Sequence, residues 1–464
     1  MNIMVINGSP KGSLSGTLQY VKFLEKAYPQ HHFEDIAVAQ RIRSIEESEE
    51  KFTEILGKIQ QADAVLWSFP LYFMLVHANL KRFIELVFER NRQAAFEGKY
   101  TATLSTSIHF FDHTAHNYLH AVCDDLQMKY IGAFSAHMHD LTQKKGQEQL
   151  LQFGKLFFTA IEQQRETQPA YAPLQPRKFE YQSGPILGTL NPAGKKVLIL
   201  HDALPEEKNV FQMVAHAKAA FDDTAEVINL RDIDIKGGCQ GCLQCGGSYH
   251  CAYEGKDGYI EFYKSKVMAA DILIYAGTIH DRSLSSRWRT LFDRSFFNTH
   301  TPVLMNKQML WLISGPIQQM PDLVQLLQIY SEFQGSNLVN IISDEYGSSQ
   351  QLDRLIEQQL AVTVENARVN ASRPMTFLGE GGMKIFRDEI WGNLRVVFPA
   401  DHKAFRKLGF YKTFPQRSFI NFILRVFAYP LLEIPGVRST FFVPRIKEQI
   451  VVPLQQAIKH ASFE

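Results

Sequence analysis

Short apolar runs recur along this chain between longer stretches in which apolar side chains return every three or four positions. Over residues 1–160 the runs at 3–6, 32–38, 64–67, 100–105 and 129–134 read as strands. The stretches between them, such as 47–60 and 78–90, read as helices with one apolar face. Five strand–helix repeats of this kind predict a doubly wound parallel sheet with helices on both faces. Right-handed crossovers then gather the loops at the strand C-termini along one edge.

The periodicity stops over 164–194, where Pro169, Pro173, Pro176, Pro185 and Pro192 stand among Gln, Ala and Gly, as in a linker or an ordered strap. It restarts at Lys195-Lys196-Val197-Leu198-Ile199-Leu200, and 225–230, 271–276, 309–314 and 337–343 supply four more strands. The two halves correspond. Ala62-Asp63-Ala64-Val65-Leu66-Trp67 leads to Leu80-Lys81-Arg82-Phe83-Ile84-Glu85, and Ala270-Asp271-Ile272-Leu273-Ile274-Tyr275 leads to Trp288-Arg289-Thr290-Leu291-Phe292-Asp293. The same strand–loop–helix unit occurring twice predicts a duplication, and with it an internal pseudo-dimer. The expected division is 1–163, a linker at 164–194, a second domain at 195–370 and an extension at 371–464.

Charge and composition narrow the partners. The formal charge of +1 gives no global case for nucleic acid. Between residues 384 and 447, however, twelve Lys/Arg stand against four Asp/Glu among many aromatics. That extension reads as a strap or lid, as a peripheral membrane contact through 419–427 with Arg417 and Arg425, or as a docking face for a partner. The chain opens directly on an apolar strand, and its longest apolar stretch, 419–432, is too short to span a bilayer and holds Asn421 and Arg425. Four of the five cysteines crowd between 239 and 251, unlike a secreted disulfide framework, so a cytoplasmic location is expected.

The loop after the first strand is Asn7-Gly8-Ser9-Pro10-Lys11-Gly12-Ser13-Leu14-Ser15-Gly16-Thr17. Glycines bring backbone N–H groups close to an anion, the hydroxyls of Ser9, Ser15 and Thr17 add donors, and the following helix adds its positive end. It is neither Gly-x-Gly-x-x-Gly nor a Walker loop. Gly8-Ser9-Pro10, with Pro70-Leu71-Tyr72 before Leu80-Lys81-Arg82-Phe83-Ile84, resembles the NAD(P)H-dependent FMN reductase branch of the flavodoxin-like superfamily. The resemblance covers both halves and implies two tandem flavodoxin-like α/β sheets. It places the FMN phosphate on Gly8, Ser9, Pro10, Lys11, Ser15, Gly16 and Thr17. The ring then lies between Pro70, Leu71, Tyr72, Phe73, Met74 and Thr106, Ser107, with Tyr72 and Phe73 covering its face. NAD(P)H is the implied reductant.

In the second half the corresponding loop is His201-Asp202-Ala203-Leu204-Pro205-Glu206-Glu207-Lys208-Asn209, where carboxylates replace glycine and hydroxyls and disfavour a phosphate. One FMN per chain is expected. What this half has instead is Cys239-x2-Cys242-x2-Cys245-x5-Cys251, flanked by glycines. Four thiolates at this spacing are able to wrap one compact centre, and the run resembles the cysteine motif of iron–sulfur flavoproteins with a [4Fe–4S] cluster. Zinc, or no metal at all, are the competing readings. Cys123 reads as a small buried hydrophobe. Of the clustered histidines His109, His113, His116 and His120, His109 is the catalytic candidate, as a proton donor beside the flavin. The expected function is an FMN-dependent NAD(P)H oxidoreductase or electron-transfer flavoprotein. It would pass electrons from a small-molecule or protein donor to a quinone, a flavin or a similar acceptor. A non-catalytic redox or metal sensor is the alternative.

Overall fold

The computed structural model describes residues 1–461 except 223, 415–418, 424–425, 428, 435, 438–439 and 441–445. The first sheet contains β1 (Asn2–Asn7), β2 (His32–Ile36), β3 (Ala64–Pro70), β4 (Tyr100–Ser107) and β5 (Lys129–His137). The second contains β6 (Val197–His201), β7 (Glu226–Asn229), β8 (Ile272–Thr278), β9 (Gln308–Ser314) and β10 (Asn337–Ser343). Their orders are β2-β1-β3-β4-β5 and β10-β9-β8-β6-β7, with every pair parallel. Renumbered within each half, the two orders are the same. The chain is two tandem flavodoxin-like α/β domains.

All ten strands overlap the predicted apolar runs, most continuously where helices bury the strand from both sides, as in β1, β3, β6, β8 and β9. In the first domain these are α1 (Gly16–Ala27), α2 (Val38–Glu46), α3 (Glu49–Gln61), α4 (Ala78–Glu89), α5 (Asp112–Asp125) and α6 (Lys144–Glu162). In the second they are α7 (Lys208–Ala219), the short α8 (Tyr259–Phe262), α9 (Ser286–Ser295), α10 (Pro321–Phe333) and α11 (Ser349–Arg368). Ser48 caps α3 by accepting from the Lys51 N–H, and Ser348 and Gln351 form a capping box on α11. One correction concerns the second strand: it ends at Ile36, and Val38 already begins α2.

The domains meet through equivalent helices. The Ala78 N–H at the start of α4 donates to Asp293 of α9 at 2.7 Å, and the Ser286 N–H and hydroxyl at the start of α9 donate to Glu85 of α4. Positions 78 and 286 correspond between the halves, as do 85 and 293, so each helix supplies the carboxylate that satisfies the other's orphan first-turn donors. Lys81 bonds Glu85 at 2.9 Å and also Asp281, which accepts from the Tyr118 hydroxyl at 2.9 Å. All of these groups are buried, and each charge has an opposite partner.

The proline-rich segment is an extended strap across both domains. Its Ala170 and Tyr171 N–H groups donate to Asp124, and its Tyr181 hydroxyl donates to Asp353. The compact body runs Met1–His402 and therefore takes in the first part of the predicted extension. There α12 (Phe377–Trp391) brings Gly382 against Phe110 and Phe111, and Phe386 lies 4.2 Å from Phe110. A second unit, Lys403–Glu464, holds short helices at Phe419–Ile423 and Tyr429–Leu432 and a longer one at Ile446–Lys459. Among the described residues no helix is long and apolar enough to cross a membrane. Arg417 and Arg425, offered above as membrane contacts, lie outside the described residues.

Candidate functional site

The loop after β1 is held open by its own side chains. Asn7 Oδ1 accepts from the Ser9 N–H at 3.0 Å, Asn7 Nδ2 donates to Gly12 O at 3.1 Å, and Ser9 Oγ accepts from the Lys11 N–H at 3.2 Å. Gly12 has φ +55°, and a Cβ there would fall 2.2 Å from Gln40 Oε1. A Cβ on Gly8 would fall 2.5 Å from Leu80 Cδ2. Ser15 caps α1 by accepting from the Leu18 N–H, leaving the first-turn N–H groups of Gly16 and Thr17 beyond the helix end. Thr17 Oγ1 lies 2.6 Å from Thr106 Oγ1, which ties this loop to the end of β4. Most N–H groups of the loop are taken by its own turns, and small residues with the Gly16 and Thr17 N–H groups at the helix N-terminus form a cradle suited to an anion. Pro10 is half-buried at its rim, and Lys11 is exposed.

Two further loops border the cradle. The Leu71 N–H donates to Thr106 O at 3.1 Å, which fixes Pro70 and Leu71 beside β4. The Tyr72 hydroxyl is hydrogen-bonded to Ser9; burial, then the neighbouring Cys239, raises its pKa. Phe73 and Met74 are turned away. Phe73 packs on Phe110, Tyr330 and Phe333, and Met74 is buried with its carbonyl accepting from Thr114. Of the predicted pair over the ring face, only Tyr72 borders the cradle; Phe73 is consumed by the domain interface.

After β4, Ser107 Oγ accepts from the His109 N–H at 2.8 Å. His109 Nδ1 lies 2.8 Å from Asp112 Oδ2, and this hydrogen bond, against partial burial, raises the imidazole pKa. Burial works against the Asp112 carboxylate, but hydrogen bonds from His109 and Ser135 bring its pKa down to about 2. The His109–Asp112 pair is thus oriented and half-exposed, a geometry able to hold and release a proton. The other histidines are structural. His116 is buried between Thr103 and Ser105, with burial lowering it to about 4. His113 meets Gln325, and His120 stacks on Tyr130 at 3.8 Å. Cys123 is fully buried.

The cysteine loop of the second domain lies directly on the first. Gly241, at φ +60°, leaves room for Tyr72, whose hydroxyl would be 2.5 Å from a Cβ there. Gly238 faces His77, and His77 Nε2 lies 2.7 Å from Cys239 O. His77 was not singled out from the sequence; its only signal is its place just before the α4 pattern, where its Nδ1 accepts from the Asn79 N–H. Cys239, Cys242, Cys245 and Cys251 line one small pocket with Arg294, Phe296 and Phe297. The Cys245 thiol donates to Phe296 O at 3.5 Å, and burial pushes both Cys239 and Cys245 up to about 12. Among the described residues no three His, Cys, Asp or Glu side chains are placed to hold one metal ion. The expected [4Fe–4S] or zinc centre is therefore not supported: the thiols share a pocket without forming a ligand set.

Residues 1–142 match the sequence model of the family described as NADPH-dependent FMN reductase. The match spans nearly the whole of the first domain. Solved structures similar to the chain include an NADH:FMN oxidoreductase (EMOB) in its apo form, at 19% identity, covering 36% of this chain and 92% of that one with a TM-score of 0.30. An NADPH-quinone reductase from P. pentosaceus has 18% identity, 33% and 96% coverage and a TM-score of 0.27. The flavoenzyme NAD(P)H:acceptor oxidoreductase FerB from Paracoccus denitrificans has 18%, 34%, 97% and 0.26. A search of curated protein sequences gives no match.

The two domains differ at the first loop. In register, Gly8 corresponds to Asp202 and Leu80 to Trp288. Asp202 is buried, accepts from Trp288 Nε1 at 2.9 Å and from Ser285, and is pushed by burial up to about 6. Glu207 Oε2 accepts from the Leu204 N–H at 2.6 Å, and its other oxygen lies 3.2 Å from His280. A protein carboxylate thus uses the loop N–H that an anion would need.

Proposed function

We propose that the chain is an FMN-dependent NAD(P)H oxidoreductase with one flavin, held by the reductase domain. The duplicate takes the place of a partner subunit. The observation that carries this reading is the contrast between the two first loops of one duplicated fold. Residues 8–17 present small side chains and a helix start led by Gly16 and Thr17, whereas in the equivalent loop Asp202 is buried against Ser285 and Trp288 and Glu207 takes the Leu204 N–H. Gly8, Ser9, Pro10, Lys11, Ser15, Gly16 and Thr17 would hold the FMN phosphate. Pro70, Leu71, Tyr72, Thr106 and Ser107 would border the ring, with Phe73 and Met74 supporting their loop from behind.

When bound, FMN supplies two-electron acceptance from a reduced nicotinamide and delivery to an acceptor of the quinone or flavin class. The chain binds and orients. The N–H groups at the start of α1 neutralise the phosphate, while Tyr72 and the cysteine-loop backbone against it exclude water from one side. His109, with Nδ1 on Asp112, holds a proton on Nε2 for the reduced acceptor. The four cysteines carry no step in this reading. The test is steady-state oxidation of NADPH and NADH by the FMN-loaded full chain with a quinone acceptor. Turnover well above that of free FMN is expected, and turnover equal to free FMN overturns the proposal.

A further inference from the structure

Between the domains lies a cleft of about 1020 Å³ that the reductase chemistry above does not use. One end is Pro10 at the rim of the phosphate cradle, with Gly238 and Gln240 of the cysteine loop beside it. The other is the end of the second sheet, where Arg231 and Arg287 project. The carboxyl ends of β6 and β8 flank the point where the strand order of that sheet reverses, the place where open α/β sheets form ligand crevices.

The two arginines are held in an unusual way. Arg231 Nε donates to the backbone carbonyl of Asp202 at 2.5 Å. Arg287 donates through Nε and Nη2 to Leu230 O at 2.9 and 2.7 Å and through Nη2 to Ile233 O at 2.6 Å. Both are anchored by carbonyl oxygens, and among the described residues neither is in an ion pair. Three of the nearby carboxylates are committed elsewhere, while the exposed Glu206 also lines the cleft. Asp202 is turned to Ser285 and Trp288, Glu207 to Leu204 and His280, and Asp234 to Lys236. Burial and then the Arg231 charge lower the pKa of Arg287, with the Asp202 and Asp234 carboxylates opposing them, so two guanidinium groups face each other at the cleft wall. Two guanidinium groups anchored on carbonyl oxygens, each with N–H groups left over, match a phosphate or pyrophosphate.

We propose that Arg231 and Arg287 bind the phosphates of the reduced nicotinamide dinucleotide in the interdomain cleft. The inference rests on the reading that the chain takes electrons from such a donor. The duplicated domain would thus have lost its flavin loop and kept a phosphate grip of a different kind on the same sheet edge, facing the reductase domain's cradle.

The test uses the FMN-loaded full chain as wild type, R231Q and R287K, with NADPH and NADH as donors and inorganic pyrophosphate as a probe. In R231Q the KM for the donor is expected to rise about tenfold or more, with kcat within about threefold. Pyrophosphate should compete with the donor in the wild type and not in R231Q. R287K keeps the charge and loses the fork, so a smaller rise in KM is expected. An unchanged KM in R231Q and R287K of wild-type Tm and FMN content overturns the inference, as does a second FMN bound at this site. A wild type that accepts electrons from dithionite but from neither dinucleotide refutes the donor in the proposed function instead. Calorimetric pyrophosphate binding, lost in R231Q, then still supports the anion site, and equal binding by both proteins overturns it.

Discussion

At the scale of single residues, the cradle depends on atoms that are missing. Gly12 has a left-handed backbone at φ +55° that a β-branched side chain strains, and a valine there also displaces the exposed Gln40 amide. G12V is expected to weaken FMN binding by at least about tenfold, roughly 1.4 kcal/mol, measured by quenching of flavin fluorescence. Asp202 gives a residue-level prediction in pH. Its folded pKa of about 6 lies above the unfolded carboxyl range, so the native state holds its proton more tightly. The stability it contributes is fully present below about pH 4 and is lost as pH rises through about 6. In D202N that loss should be absent, flattening the stability profile between about pH 4 and 6 by up to roughly 3 kcal/mol in urea titrations. A profile parallel to wild type would contradict the burial argument. For His109, H109Q should lower kcat for quinone reduction while leaving FMN affinity near wild type. In the wild type kcat should fall as pH rises through the raised His109 pKa, and that fall should vanish in H109Q.

At the scale of elements, the reciprocal capping of α4 and α9 is what joins the halves. D293A removes the acceptor for the Ala78 N–H and leaves Arg289 buried without its partner. A loss of about 3–5 kcal/mol is expected in equilibrium unfolding, against less than about 1 kcal/mol for E49A at the exposed bridges to Arg90 and Arg92. The strands were legible in the sequence because burial from both sides leaves an almost uninterrupted apolar run, as in β3 and β9. The start of α2 was not legible. Its N-cap, Ala37, offers no side-chain acceptor, so nothing separates Val38 from the strand that precedes it. The α4–α9 contact could not be read either, since Asp293 reaches a backbone N–H 215 residues earlier in the chain.

At the scale of the molecule, the duplication and the contrast between the two first loops were both readable as residue patterns. So was the crowding of four cysteines, but not what they touch. Only the packed domains bring Gly241 against Tyr72 and Cys239 O to His77, and only the interface turns Phe73 away from the cradle toward Tyr330 and Phe333. The cysteine spacing suggested a metal ligand set, whereas the folded loop points two of its thiols into apolar, neutral-thiol settings. The proposed function therefore stands on one asymmetry between two like-folded halves: small residues and a helix start in the first loop of one, carboxylates in the first loop of the other. Equilibrium titration of flavin-free full chain with FMN, as wild type and G12V, tests it most directly. The expected result is one FMN per chain in the wild type, with affinity sharply reduced in G12V. Two FMN per chain, none, or equal binding by G12V would contradict it.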